Sequence, residues 1–189
     1  DVASVQEAMA TLLRPINDFN AKQRKTKHAL YTPRMVFTLG NHCERINRAT
    51  NNDPKLDGTI GIEDLRYREW GWEVYPFLQP VIIDNIAYCH YFVTGVAGRP
   101  AATAAAQFRK TSMSCVAGHQ QGLQIHTASR ADGKRLTSII SGSCYQHEET
   151  YLGPQGNQHW RGVLMLHDVV EGEFDLMPEF NEQLIPTDS

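Results

Sequence analysis

Apolar positions recur at helical spacing in some stretches of the chain and cluster in short runs in others. The amino-terminal stretch predicts a helix, because Asp1 can cap it and apolar residues then follow three or four positions apart. Pro15 interrupts this pattern near its end. Residues 100–110 predict a second helix, because they are rich in alanine and end in Arg109-Lys110, where cations stabilise a helix carboxyl terminus. The apolar positions of the first helix are Val2, Val5, Met9, Leu12, Leu13 and Ile16.

Short apolar runs predict strands, and several of these runs end at a glycine followed by a polar residue. One run holds two strands joined by a tight turn at Asp84-Asn85, and the last forms a closing hairpin around Glu171-Gly172. Residues 47–58 are rich in Asn, Asp, Pro and Gly and predict a loop. The pattern favours a mixed α/β fold of packed sheets flanked by helices over a doubly wound fold. The predicted strand regions are 34–39, 72–77, 80–90, 114–117, 136–140 and 162–177.

The composition is that of one globular domain. The chain has 189 residues, of which 41% are hydrophobic and 21% charged, which is ample for a buried core. These values exclude a disordered tail, a collagen-like repeat and a coiled coil. The apolar runs are shorter than the ~20 residues of a membrane span, and no basic segment followed by an apolar one opens the chain. We therefore expect neither a signal peptide nor a membrane partner.

The net charge limits the classes of binding partner that we expect, and the cysteines indicate the redox state of the compartment. The net charge is -3, so general attraction to nucleic acid or anionic lipid is not expected. The basic run at residues 22–28 leaves open a local nucleic-acid contact beside the simpler interpretation as a solvated helix end. The four cysteines form no Cys-x-x-Cys pair and lie in or beside apolar runs, which indicates free thiols in a reducing, cytoplasmic compartment.

Histidines end several of the predicted strands. Asn41-His42 follows a buried strand and a glycine, His90 ends an apolar strand, and His119 follows a short strand and a glycine. Strand ends bring polar side chains to one edge of a sheet, where α/β enzymes build their sites. Imidazole and amide oxygen are both ligands for divalent transition metals. We expect these four side chains to converge in one pocket, and the three histidines at equivalent strand ends favour a metal site there.

The motifs around these residues resemble those of a known enzyme superfamily. Leu39-Gly40-Asn41-His42, Cys89-His90 and Val116-Ala117-Gly118-His119 stand in the order of the last three motifs of calcineurin-like metallophosphoesterases. Ser141-Gly142-Ser143 resembles the glycine-serine turn that follows those motifs. The chain is most similar to a phage or bacterial subgroup whose last motif reads Gly-His-Gln-Gln. The resemblance covers about residues 34–177.

The resemblance implies a fold and a set of roles. The fold would be two packed mixed β-sheets flanked by helices, in a single domain over residues 1–189 that lacks the first strands of the family. Asn41, His90 and His119 would be ligands of the second of two metals. His42 would lie over the phosphate and protonate the leaving oxygen or stabilise its charge. Arg45 would contact a substrate phosphate or form an ordinary surface ion pair.

Three departures from the family pattern affect the metals. The Asp-x-His and Gly-Asp-x-x-Asp motifs are absent from the sequence, and we expect them upstream of Asp1. Cys43 stands where an acid normally orients the catalytic histidine. Gln121 stands in place of a histidine ligand, so it is a candidate metal or substrate contact, and His126 is the alternative replacement. We therefore expect at most one weakly bound ion in this chain and little activity without an upstream segment.

The function that the resemblance implies is metal-dependent hydrolysis of a phosphomonoester or phosphodiester. The family uses two divalent ions, which are manganese, iron, zinc or nickel. Two alternatives stay open: a nuclease of the same superfamily that acts on DNA or RNA, and a catalytically inactive remnant with a binding or structural role. The expected setting is the cytoplasm of a bacterium or of a phage-infected host. The partner would be a phosphoester substrate, and nucleic acid is the second candidate.

Overall fold

The computed structural model describes residues 2–180, and its helices and strands confirm a mixed α/β protein. Contacts gather into two compact units, which divide between Pro76 and Phe77. The single domain over residues 1–189 that the sequence suggests stays a prediction. None of the helices within residues 2–180 combines the length and the apolar character that crossing a bilayer requires.

The first unit consists mainly of helices and carries one small sheet. Strand β1 pairs in parallel with β2, with Val36 opposite Glu73. The Phe37 ring packs on the Tyr67 ring with 4.3 Å between centroids, and so joins the sheet to the chain between α2 and β2. The elements in chain order are α1 (Val2–Thr26), β1 (Val36–Thr38), α2 (Glu44–Asn52), 3₁₀ turns at Pro54–Leu56 and Ile62–Leu65, and β2 (Glu73–Tyr75).

Helix α1 continues beyond Pro15, where the sequence pattern breaks. Asn20 is buried in the second half of the helix and clamps it to the following segment. Its Nδ2 donates to the Tyr31 carbonyl and its Oδ1 accepts from the Tyr31 amide, both at 2.8 Å. These tertiary hydrogen bonds hold the part of the helix that the proline would weaken. The basic run at residues 22–28 covers the end of this helix, where Arg24 and Lys25 lie in the last turn. Cations are favourable at this end because of the helix dipole.

The loop predicted at residues 47–58 is wrong in its first half, because α2 extends to Asn52. Polar side chains of this stretch bond to their own helix instead of opening it. Asn47 Nδ2 donates to Glu44 Oε2 at 3.0 Å, and Thr50 Oγ1 donates to the Asn47 carbonyl at 3.0 Å. Asp53 then ends the helix and caps the next 3₁₀ turn by accepting from the Lys55 amide.

The second unit is built on a five-stranded mixed sheet in the order β3-β4-β7-β9-β8. The central strands β4, β7 and β9 are parallel, and β3 and β8 flank them antiparallel. The tight turn predicted at Asp84-Asn85 is confirmed, since both residues have positive φ, which suits a two-residue hairpin. The elements are β3 (Val81–Ile83), β4 (Ile86–Cys89), β5 (Val93–Thr94), β6 (Arg99–Pro100), α3 (Ala104–Thr111), β7 (Cys115–Ala117), β8 (Leu123–Ser129), β9 (Arg135–Ser141), α4 (Gly153–Gly156), β10 (Gly162–Val170) and β11 (Glu173–Phe180).

Both faces of this sheet are covered. On one face, Ile86 and Ile139 pack against Phe174 and other apolar residues of the β10–β11 hairpin. On the other face, the Cys89 and Cys115 side chains pack in a second apolar cluster, and α3 lies over this side. Gln107 of α3 donates to the Ile139 carbonyl at 3.0 Å. The β10–β11 hairpin that covers one face is a two-stranded antiparallel sheet, and not the second mixed sheet that the resemblance implies.

All four cysteines lie within the described residues and are free thiols. Cys89 and Cys115 are buried as expected, Cys43 is half-buried, and Cys144 is exposed, contrary to the expectation drawn from its apolar neighbours. Burial raises the pKa of the Cys89 thiol, so the neutral thiol is favoured at neutral pH. Cys89 is therefore a core residue of the apolar cluster on the α3 side of the sheet.

We predict that Ile139→Ala lowers the free energy of unfolding by about 3 kcal/mol, because it leaves a cavity between the sheet and the hairpin. Ile139 is fully buried. The matched control is Ile82→Ala on edge strand β3, where the side chain is 60% exposed, and a change within about 0.5 kcal/mol is expected. Urea unfolding followed by circular dichroism measures both. Equal effects of the two substitutions would contradict the layer arrangement.

Candidate metal and substrate site

Three parallel strands of the second unit end at the same edge of the sheet. Cys89, the last residue of β4, pairs with Ala117, the last residue of β7. Ala117 in turn pairs with Ile140 near the end of β9. The residues that follow these strand ends are His90, Gly118-His119 and Gly142-Ser143. The predicted delivery of polar residues to one sheet edge is therefore confirmed within this unit.

His90 and His119 meet at this edge. Nε2 of His90 lies 3.2 Å from Nδ1 of His119, and the ring centroids are 5.0 Å apart at an interplanar angle of 74°. Two ring nitrogens at this separation either share a proton or face a common cation. The Gly118 amide donates to the His90 carbonyl at 3.1 Å, which extends the strand pairing up to the two rings. Residues 29 positions apart in sequence are thus held in direct contact.

The backbone of His119 is strained. Its φ is +67°, and the Gln120 amide donates to the Gly118 carbonyl at 2.8 Å, so His119 is the central residue of a tight three-residue turn. A side chain in this left-handed region costs about 1 kcal/mol or more. Strain of this kind is typical of functional sites, where a side chain must be presented in one direction. The sharp turn is what directs the ring back towards His90.

Aromatic rings surround the histidine pair. Tyr91 lies 4.8 Å from His119 and 5.6 Å from His90 between ring centroids. Phe77 lies 5.9 Å from His90 and 5.6 Å from Tyr91. These rings restrict the rotation of both imidazoles and lower the local polarity around them. The sequence analysis did not single out Tyr91 or Phe77, although Tyr91 directly follows a candidate ligand.

Gln121 lies two residues beyond His119. Its Nε2 donates to the Tyr151 hydroxyl at 2.8 Å, which turns the amide so that Oε1 is the atom suited to a cation. His126, the alternative replacement for the lost ligand, sits on β8 with its ring 5.4 Å from Phe108 of α3. Gln121 follows His119 by two residues in the chain, whereas His126 packs against Phe108 on β8, so Gln121 is the better of the two candidates. Its role as a metal or substrate contact stays a prediction.

Asn41, His42 and Arg45 lie together in the first unit, at the start of α2. Arg45 Nη2 lies 3.4 Å from His42 Nε2. Because a guanidinium can only donate, Nε2 of His42 accepts and the proton of the neutral ring is on Nδ1. Arg48 Nη2 donates to the Asn41 carbonyl at 3.1 Å. The two arginines therefore bring positive charge to the segment for which phosphate contacts were predicted.

Cys43, at the position where the resemblance implies an acid, contacts a tyrosine. Its Sγ lies 3.6 Å from the Tyr67 hydroxyl. Burial, with a smaller contribution from Cys43, raises the pKa of the Tyr67 hydroxyl well above its usual range. The neighbouring Glu44 accepts from Asn47. His42 is thus positioned by the Arg45 guanidinium, where the family pattern has a carboxylate.

The predicted site residues fall into two groups. His90 and His119 are in contact in the second unit, where Gln121 follows His119 by two residues, and Asn41, His42 and Arg45 lie close in sequence in the first. The convergence of the two groups in one pocket stays a prediction. Within residues 2–180, no three or more His, Cys, Asp or Glu side chains are arranged to hold a metal ion.

A comparison of the chain with protein-family models, with curated proteins and with solved structures finds no match.

Proposed function

We propose that the chain forms the metal-binding part of a metal-dependent phosphoesterase. The observation that carries this proposal is the contact between His90 and His119 at the carboxyl edge of β4 and β7, with 3.2 Å between their ring nitrogens. The strained turn at His119 gives the second ring its direction. The order of the strand-end motifs, which resembles that of calcineurin-like metallophosphoesterases, supports phosphoester hydrolysis as the reaction.

The geometry of the histidine pair fits one shared transition-metal ion. Two nitrogen ligands at about 2.05 Å from a tetrahedral ion are about 3.3 Å apart, and the observed separation is close to this value. Nε2 of one ring and Nδ1 of the other are both usual metal-binding atoms. The surrounding Tyr91 and Phe77 rings supply the restricted environment that orients such ligands.

We assign roles to the remaining site residues from the chemical properties of their side chains. Gln121 is proposed as the third ligand through its amide oxygen, and a ligand role for Asn41 stays a prediction of the resemblance alone. Arg45 and Arg48 would attract the phosphate, and His42 would hold a proton at Nδ1 for the leaving oxygen. When bound, the metal would polarise the phosphoester and lower the pKa of a bound water. Because all the proposed ligands are neutral, a single divalent ion would be held weakly, and we expect slow turnover by this chain.

We predict that the chain binds one Zn²⁺ or Mn²⁺ and that His119→Ala weakens this binding by about 100-fold. Mutation of a residue that hydrogen-bonds to a metal ligand typically lowers metal affinity 10- to 100-fold, and loss of the ligand itself should lower it at least as much. Equilibrium dialysis with elemental analysis measures the affinity and the number of bound ions. The matched control is His167→Ala on the exposed side of β10, which should leave the affinity unchanged.

Hydrolysis of bis(p-nitrophenyl) phosphate with added Mn²⁺ tests the chemistry. Metal-dependent turnover that falls in both the His119→Ala and His42→Ala variants would support the phosphoesterase. Metal binding without turnover would favour the inactive remnant of the fold. Metal binding that is the same in His119→Ala and wild-type protein would contradict the site.

A nucleic-acid substrate is the second candidate, and the end of α1 favours it. Lys22, Arg24, Lys25 and Lys27 are exposed there. No acidic partner pairs with these four cations within the described part of the chain. Unpaired exposed cations suit phosphate backbones, although cations also stabilise helix ends.

We predict that single-stranded DNA binds weakly and loses affinity as salt rises, and that the double variant Arg24→Gln, Lys25→Gln reduces the salt dependence. Each phosphate contact contributes a slope of about -0.7 in a plot of log affinity against log salt for single strands. Fluorescence anisotropy at several salt concentrations measures the slope. The control Arg130→Gln, Lys134→Gln changes two cations that already pair with acids. Equal slopes in the two double variants would show that the basic end of α1 does not bind the DNA.

A further inference from the structure

Two short segments run side by side next to the sheet edge described above. Ser143 forms a parallel bridge with Arg161, and the Gly162 amide donates to the Ser143 carbonyl at 2.9 Å. Residues two apart on an extended segment face the same side, so Ser143 and Tyr145 share a face with His159 and Arg161. The ring centroids of Tyr145 and His159 are 6.0 Å apart. These four side chains form a compact cluster.

Ser143 and His159 are hydrogen-bonded in a defined direction. The Ser143 Oγ lies 2.9 Å from His159 Nε2, and His159 Nδ1 lies 2.9 Å from the Gly156 carbonyl. Because a carbonyl can only accept, the proton of the neutral ring is on Nδ1. Nε2 therefore has a lone pair, and the Ser143 hydroxyl must donate to it. A serine that donates to an imidazole oriented by a second acceptor is the arrangement of an activated nucleophile.

Arg161 brings a positive charge to the same cluster. Its Cζ lies 5.7 Å from the centroid of the Tyr145 ring, and its Nη1 donates to the Gln146 carbonyl at 3.5 Å. Its Nε and Nη2 are buried and have no hydrogen-bond partner within residues 2–180. A cation beside a nucleophile favours the negative charge that develops on a substrate oxygen.

We propose that Ser143 is a nucleophile for carboxylic esters, with His159 as its general base. The Ser143 Oγ would attack the acyl carbonyl and form a new C–O bond, while its proton passes to His159 Nε2. The ester C–O bond then breaks, and the leaving alkoxide takes that proton from His159. Water would then attack the acyl carbon as one of its protons passes to the same Nε2, and the bond between the acyl carbon and Ser143 Oγ would break. The carboxylic acid leaves, and Oγ takes the proton back from His159.

The position of Gly142 is part of this arrangement. Gly142 has a φ of +71°, and a Cβ at this position would lie 3.1 Å from both the Gln121 carbonyl and the Leu123 amide. Glycine adopts this conformation without strain, and the turn places Ser143 just beyond the end of β9. The Ser143 hydroxyl can also donate to the Gln121 carbonyl at 3.4 Å, but its contact with His159 Nε2 is shorter, at 2.9 Å. An acyl group is the favoured substrate, since its tetrahedral intermediate carries one negative charge, which one guanidinium can offset. A phosphoryl group, which spreads more charge, normally needs metal ions.

A fluorophosphonate probe tests this proposal directly on the full chain. The Ser143 Oγ would displace fluoride and form a stable O–P bond, which mass spectrometry after proteolysis locates. We expect labelling at Ser143, no labelling in Ser143→Ala, and about 100-fold slower labelling in His159→Gln. Heat-denatured protein should not react, because the dyad exists only in the fold. Labelling should persist in EDTA, which separates this activity from the proposed phosphoesterase.

Two matched controls keep the test decisive. His147→Gln changes a nearby histidine that stacks on Tyr145 and pairs with Glu149, and Ser141→Ala changes a serine on the same turn. Both should label at the wild-type rate, and circular dichroism verifies that all variants fold. Absence of label from folded wild-type protein would overturn the proposal. Loss of labelling in EDTA, or an equal rate in His159→Gln and wild type, would overturn it as well.

Discussion

Parallel pairing of β4, β7 and β9 is the constraint on which the second unit depends. Because the strands run in the same direction and in register, their carboxyl ends lie at one edge, and the residues that follow are neighbours. Parallel strands must be covered on both faces. In this unit, α3 covers one face and the β10–β11 hairpin covers the other. The rigid middle layer then fixes His90 and His119, which would otherwise be connected only through a long stretch of chain.

The chemistry of this edge is limited by charge. The histidine pair offers ring nitrogens and Gln121 offers an amide oxygen, none of which carries a negative charge, so a bound divalent ion would keep most of its positive charge. Such an ion polarises a phosphoester strongly but is held weakly. The second constellation, Ser143 with His159, uses no metal and depends on hydrogen-bond direction instead. Both lie beyond the ends of parallel strands, where a fold can vary its chemistry without changing its core.

The central strands β4, β7 and β9 could be predicted because buried parallel strands are short apolar runs that end in glycine or polar residues. The turn at Asp84-Asn85 could be predicted for a local reason, since both residues tolerate positive φ. Elements that depend on contacts with distant residues could not be predicted from local sequence. Helix α1 continues past Pro15 because Asn20 bonds a residue outside the helix. Helix α2 was missed because its polar residues can bond the backbone in a loop or in a helix.

Anomalous X-ray diffraction from crystals grown with Zn²⁺ tests the central claim most directly, because it locates the ion without any assumption about activity. The account predicts one anomalous peak about 2.1 Å from both His90 Nε2 and His119 Nδ1. The two nitrogens should stay close to their present separation of 3.2 Å. Zinc bound elsewhere on the chain, with His90 and His119 still hydrogen-bonded to each other and no peak between them, would contradict it.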